Sequence, residues 1–549
     1  MNKITTYFRS ALVLMAGAIL VVSCQKGNLT SNNNVAGRDA VGISPSLFLN
    51  HVTFSMYKGG GVMESVSGNV SEEPWGVLSH FNQYYLSNYS YYQGINSYNW
   101  SNTATQYDGM LKYTILMEKQ AAAANPLAAY TNVYYGLGRF FRAYAFIWLS
   151  QRVGDIPMNQ AGYDSILQPK YDAQKEVYRN SLALLDSANT IIGNLITKNG
   201  SAATVVDATG DIFGLSYLGW QKVINSYRLR VLISLSKRAD DNADLNIKQQ
   251  FATILGNPAK YPVITGNADN LVFKYTSVNN YPALANASYT GNANISKTYL
   301  DLMVPKKDPR VFAVATPAPA QLAAPNNKSY SDFTAFVGAD PNLGLGSLLT
   351  NSGNGLYSFA NWNYYAKGNS TGGLVEPFTI IGYPELCFNI AEAYSRGWVS
   401  GAADDVNAAL WYNKGIDASL STYKLTQGQA YTVGDKAGNA YGTVNIDITT
   451  FKTNVAYAGG AGGLQQILEQ KFIALFQNSG WEPYYNQRRT GFPAFGQGGA
   501  GIGTSNGKLP RRWQYPVGEQ NENSVNWKAA IQSQFGGNDD VMQDAWLTK

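Results

Sequence analysis

Thiols and imidazoles are scarce in this 549-residue chain: Cys24 and Cys387 are its only cysteines, and His51 and His80 its only histidines. That excludes a zinc-finger ligand set and any multi-histidine metal site. His80, standing alone, reads as a packed or surface residue and not as a general base. Charge is sparse too, at 14% of residues, and the formal net charge of +5 forms no basic stripe, which argues against nucleic acid as a partner. No extended low-complexity block is present, and with 45% apolar residues the composition is that of a folded soluble protein. What the chain has in quantity is tyrosine, 38 residues, with 11 tryptophans. Such flat, polar-edged rings stack on carbohydrate and peptide ligands, and serve equally well in cores and interfaces.

Nucleotide and acyl-enzyme motifs are only approximated. Gly291-x-x-x-x-Ser296-Lys297-Thr298 carries serine where a phosphate-binding loop needs glycine. Ser234-x-x-Lys237 has the spacing of a penicillin-recognising enzyme but sits mid-helix, and no Lys-Thr-Gly triplet accompanies it. The Gly459 to Gly463 run lacks the glycine spacing and preceding strand of a dinucleotide fold. Glu385 and Glu392, seven residues apart on one helical face, read as structural ion-pair partners, because nothing adjacent would raise a pKa.

At the N-terminus, Lys3 and Arg9 precede an apolar run from Ala11 to Val22, too short to span a bilayer and typical of a secretory signal peptide. Val21-Val22-Ser23-Cys24 resembles a bacterial lipobox, which implies cleavage after residue 23 and lipid attachment at Cys24. Residues 24–43 then form a polar, flexible tether. Cys387, left without an intramolecular partner, is expected to be a buried apolar residue.

The body, 44–549, is organised around Val133 to Met158. Leu137, Phe140, Phe141, Tyr144, Ile147 and Trp148 recur at steps of three and four, and the opposite side is hardly more polar, so the spacing predicts a helix packed on most of its circumference. Gly154 and Pro157 should end it near Val153. Further helices are predicted at Ser44 to Tyr57, Glu72 to Leu86, Gln106 to Ala123, Lys170 to Ile196 with Asp172 as N-cap, Leu215 to Lys237, Gly382 to Val399, Ala402 to Ser419 and Leu464 to Gln477. Between about 255 and 370 helical periodicity gives way to Gly, Asn, Pro and Ser, and a long irregular insert of this kind is usually functional.

Gly136-x-x-Arg139-Phe140-x-Arg142-Ala143-Tyr144 followed by Arg152-Val-Gly-Asp-Ile-Pro157 resembles the opening signature of the SusD/RagB family of nutrient-binding outer-membrane lipoproteins. Similar landmarks follow in order: Trp220 through Arg230, Asp308-Pro309-Arg310, Phe388 through Trp398, Trp481 through Pro493, and Pro510 through Glu519. The resemblance implies a mostly α fold, in which tetratricopeptide-like helical hairpins form a scaffold and long irregular loops form the ligand-binding face. It also implies a non-enzymatic role: cell-surface capture of an oligosaccharide or polysaccharide, with peptides the known alternative, and delivery to a SusC-like TonB-dependent outer-membrane barrel. A surface glycan hydrolase and a protein-binding helical-repeat adaptor are the competing classes. No cofactor is expected, and the sequence leaves a structural Ca2+ undecided.

The ligand-binding candidates are loop aromatics: Tyr98 and Trp100 in the patch between Phe81 and Trp100, Tyr275 and Tyr281 in the insert, and Trp362 and Tyr364 in Ser352 to Lys367, where Trp362 with Tyr364 could form a stacking platform. Arg488 and Arg489 are expected to cross-link the C-terminal segment to carboxylates of the helical body rather than to grip an anionic ligand.

Overall fold

Helix α1 spans Pro45–Lys58, α2 Lys112–Ala124, α3 Val133–Val153, α4 Gln174–Asn199, α5 Tyr217–Ser234 and α6 Ile247–Gly256; after the insert come α7 at Tyr383–Ser395, α8 at Asp405–Thr422, α9 at Gly460–Ala474, α10 at Glu482–Thr490 and α11 at Ser524–Phe535. This computed structural model describes residues 43–58, 74, 77–87, 107–124, 132–163, 165–200, 202–207, 210–275, 293–361, 364–365, 376–497 and 509–549. Residues 44–549 form one compact unit, and the proposed signal peptide, Cys24 and most of the tether lie outside the described residues.

Chain-adjacent helices pack on one another, α3 on α4, α4 on α5 and α7 on α8, with α9 against α7 and α8. This is the hairpin scaffold of a mostly helical fold. Small residues set how closely the helices meet. A Cβ on Gly136 of α3 would lie 3.0 Å from Ile191 of α4, and one on Gly415 of α8 would lie 2.7 Å from the Phe388 ring of α7. As the periodicity predicts, α3 is buried around almost its whole girth, and the Asn132 side chain caps it by accepting from the Tyr134 amide at 2.9 Å. Beyond its end, Gly154 has a φ of 109° but a ψ of −125°, outside the left-handed cap conformation, and the next amide, Asp155 N, donates to Gln534 Oε1 at 2.8 Å.

Several local expectations are corrected. Of the stretch Glu72 to Leu86, the described residues 77–86 form a short helix, Val77–Phe81, and then turn into strand β1, Tyr85–Ser87. Asp172 does not cap α4. Its carboxylate instead accepts the amides of Met158 (2.9 Å) and Asn159 (2.8 Å), and α4 starts two residues later behind Ala173. The insert contains β2, Leu271–Phe273, β3, Ala293–Ile295, and a helix at Leu345–Gly353. Strand β4, Phe378–Ile381, leads into α7, and a hairpin of β5, Ala430–Gly434, and β6, Ala440–Asn445, follows α8. The strands pair antiparallel as β1 with β3, β2 with β4 and β5 with β6. Cys387 is buried, and desolvation pushes its thiol up to about 12.

Candidate functional site

β3 is the centre of a three-ply arrangement. On one side Ser87 of β1 pairs with Ala293, Leu86 with Asn294 and Tyr85 with Ile295. On the other, Phe359 bridges antiparallel to Asn294, the Ala360 amide donates to Ala293 O at 3.1 Å, and the Ile295 amide donates to Ser358 O at 2.8 Å. Because β1 and Ser358–Ala360 both run opposite to β3, the chain leaves β1 after Ser87, enters β3 at Ala293 and leaves toward Asn361 at the same end. The fully buried Asn294 locks this end: its Nδ2 donates to Leu86 O at 3.3 Å and its Oδ1 accepts from Ser352 Oγ at 2.9 Å. Asn361 is fixed in turn, its Nδ2 donating to Phe312 O at 3.1 Å.

The second pair completes the geometry. β2 runs out through Phe273 to Tyr275 beside Phe378, where the chain enters β4. Segments 88–106, 276–292, 362–363 and 366–375 therefore have ends at or beside two small sheets, and three of these attachment points, Ser87, Ala293 and Asn361, are adjacent. These segments carry Tyr98, Trp100, Tyr281 and Trp362, which lie outside the described residues. The remaining two candidates are placed. Tyr275 is 4% exposed, in an aromatic cluster with Tyr57, Phe273 and Phe378; Tyr57 donates to its hydroxyl at 3.2 Å, and Phe273 stands edge-on at 5.4 Å. So enclosed a ring belongs to the core and has no open face for a ligand, which corrects its assignment as a contact residue. Tyr364 is half-buried, its hydroxyl donating to Thr422 O at 3.1 Å and its ring set against Tyr365 and Tyr423.

The charged landmarks are interior cross-links. Arg230 Nε donates to Glu385 Oε1 at 2.7 Å, and Arg489 Nη2 to Glu392 Oε2 at 2.8 Å, with Arg396 Nε on Glu392 Oε1 at 2.8 Å. Burial pushes the Glu392 carboxyl up, but Arg489 and then Arg396 outweigh it and hold it at about 2. Glu385 behaves likewise: burial raises it, and Arg230 and Lys471 together bring it below the usual range. Neither carboxylate is poised to carry a proton at neutral pH, in keeping with the ion-pair expectation. Arg310 is fully buried on Asp308 and also reaches Ser419 Oγ at 2.9 Å. Arg488 departs from expectation by donating to two carbonyls, Arg511 O and Gln151 O, each at 2.7 Å, instead of to a carboxylate. Lys471 Nζ bonds Asn389 Oδ1 (2.7 Å) and Asn486 Oδ1 (2.8 Å), and burial pushes its ammonium down to about 8. Among the described residues no group of three or more His, Cys, Asp or Glu could hold a metal ion, and no helix is long and apolar enough to cross a membrane.

Sequence reasoning missed the shared root of the candidate loops, because the pairing of residue 85 with 295 leaves no local mark. Known proteins now bear on the arrangement. Residues 39–516 match the family described as starch-binding and associating with the outer membrane, SusD-like. A SusD homologue from Bacteroides fragilis is 26% identical with a TM-score of 0.75, over 92% of this chain and 100% of its own. An outer-membrane protein from Bacteroides vulgatus with an inferred role in nutrient binding is also 26% identical, with a TM-score of 0.71 over 92% and 100% of the two chains. A chitin-binding protein shares the fold at 21% identity and a TM-score of 0.67, again over 92% and 100%. No curated protein matches the sequence. The match across most of the chain, together with this helical scaffold, establishes that the chain belongs to the SusD-like family of outer-membrane-associated binding proteins.

Proposed function

We propose that this protein is a lipid-anchored, surface-exposed receptor that captures an oligosaccharide or polysaccharide and delivers it to a SusC-like TonB-dependent outer-membrane barrel, without chemistry on the ligand. The observation that carries the reading is the convergence of chain ends at Ser87, Ala293 and Asn361, from which aromatic-bearing segments far apart in sequence depart together. Rings delivered from several loops hold a polymer weakly at many points, and tethering raises its local concentration at a transporter. The starch-binding description of the family and the chitin-binding protein of the same fold favour a glycan over a peptide. Calorimetric titration of residues 25–549 against a panel of oligosaccharides and a mixed peptide digest is expected to give saturable heat with one glycan class. Heat from the peptide digest alone would replace glycan by peptide, and release of reducing ends would overturn the non-enzymatic reading.

Anchoring has its own test. The apolar run ending at Ser23-Cys24 supports lipid on Cys24, so Cys24→Ser in the full-length chain is expected to move the protein out of the membrane fraction. Retention of the variant in washed membranes would defeat the lipid anchor.

A further inference from the structure

β4 carries one residue too many for its partner. Val272 pairs with Thr379 while Leu271 pairs with Ile381, so Ile380 sits in a bulge. The Ile380 carbonyl, displaced from the ladder, accepts from Arg230 Nη2 at 2.7 Å. Arg230 comes from α5, and its fork also grips Glu385 in the first turn of α7 through Nε and Nη2. Glu385 Oε2 in turn accepts from Ser479 Oγ at 3.0 Å. Ser479 belongs to the turn between α9 and α10, and its amide donates to Thr379 O at 2.7 Å, while Asn478 Oδ1 accepts the Thr379 amide at 2.9 Å. The residues flanking the bulge are thus held by two distant parts of the chain, α5 and the turn after α9, together with the start of α7.

The same turn reaches the first sheet. Ser79 Oγ donates to Gln477 Oε1 at 2.8 Å and Asn82 Nδ2 to Gly480 O at 3.0 Å, both just ahead of β1. To make these contacts the turn places two non-glycine residues in left-handed backbone, Gln477 at φ 59° and Ser479 at φ 57°. Such conformations are costly and persist where the surroundings over-determine them. A buried ion pair is also a poor source of net stability, since desolvation offsets much of the attraction; what a bidentate arginine adds is direction.

We propose that Arg230, Glu385 and Ser479 form a clasp that fixes the register of β4, making Arg230 and Ser479 positioning residues for the ligand face. The assignment rests on the ligand-face reading above. The clasp acts on the described strand at Phe378–Ile381, and through it on where the chain enters the sheet beside Tyr275.

The experiment uses full-length protein in detergent, with Ser479→Ala, Ser479→Gly and Arg230→Lys. Both Ser479 variants delete the hydroxyl, but glycine also relieves the left-handed backbone, so the glycine variant should melt above the alanine variant. Hydrogen exchange in the 376–382 peptide is expected to speed up about tenfold in all three variants, as for loss of a hydrogen bond to a charged group. With chitohexaose and maltoheptaose as probes, affinity is expected to fall about tenfold in both Ser479 variants alike, despite their different melting temperatures. Unchanged exchange in 376–382, or an affinity that tracks melting temperature instead of the hydroxyl, would overturn the clasp. Should neither probe bind the wild type, the glycan reading loses its support, and the exchange result alone decides whether β4 is clasped.

Discussion

Arg489→Ala is expected to lower the stability of this protein by about 3–5 kcal/mol, the range for stripping one partner from a buried ion pair. The pair is deeply enclosed, with side-chain exposures of 4% for Arg489 and 0% for Glu392. Arg489 also donates to the part-buried Ser236 Oγ at 2.7 Å and Asn486 Oδ1 at 2.9 Å, bonds that alanine removes. Arg396, 27% exposed, would remain on Glu392 and should keep the loss near the lower limit. Total stability for a domain is only about 5–15 kcal/mol, so the urea midpoint should drop markedly.

The same pair sets an acid limb. Glu392 is held at about 2 in the folded protein, against about 4.3 for an unperturbed glutamate. A depressed carboxyl contributes stability that is complete above its unfolded pKa and is lost as pH falls through the folded one. The wild type should therefore lose about 3 kcal/mol from this group between roughly pH 5 and pH 2, and Arg489→Ala should show a shallower loss. Urea titrations across that range decide the matter. An equal pH dependence in the two proteins would mean that Arg489 is not what holds the carboxyl down. Glu392→Met with Arg489→Met should recover part of the loss, since an apolar pair leaves no uncompensated charge.

How much of this was legible beforehand differs by element. α3 could be read because its aromatic stripe is strictly periodic and local, and its cap, Asn132, lies next to it. Arg488 and Arg489 show where such reading stops: adjacent and chemically identical, they diverge by the turn of one helix, Arg489 meeting a carboxylate and Arg488 two carbonyls. Asp172 had every local credential of an N-cap, yet two amides 13 and 14 residues upstream outcompeted the helix for it. Tyr275 sits in a polar, irregular stretch that reads as exposed, yet it is buried in a cluster with the distant Tyr57. The aromatic content of the candidate loops is visible in the sequence. Their assembly is not, since the attachment points meet through pairings some two hundred residues apart.

Trp100→Ala combined with Trp362→Ala is expected to weaken glycan binding about 100-fold, as two aromatic anchors worth about 1.5 kcal/mol each would. Both residues lie outside the described part of the chain, but their segments leave from neighbouring points: Ser87 pairs with Ala293, whose carbonyl accepts the amide of Ala360, two residues before Trp362. A ligand spanning both rings would then bridge segments that share one rigid base, so removing one ring should cost roughly tenfold and removing both should approach the product, unless the rings act as a single platform. The base is held by Asn294 and Asn361 through their own amides. Melting temperature and circular dichroism are expected to be unchanged, as is association with the proposed barrel partner. Titration of the double variant with the glycan that binds the wild type makes the measurement. Affinity equal to wild type would remove Trp100 and Trp362 from the site, moving attention to Tyr98, Tyr281 and the half-buried Tyr364, while the SusD-like family membership, which rests on residues 39–516, would stand.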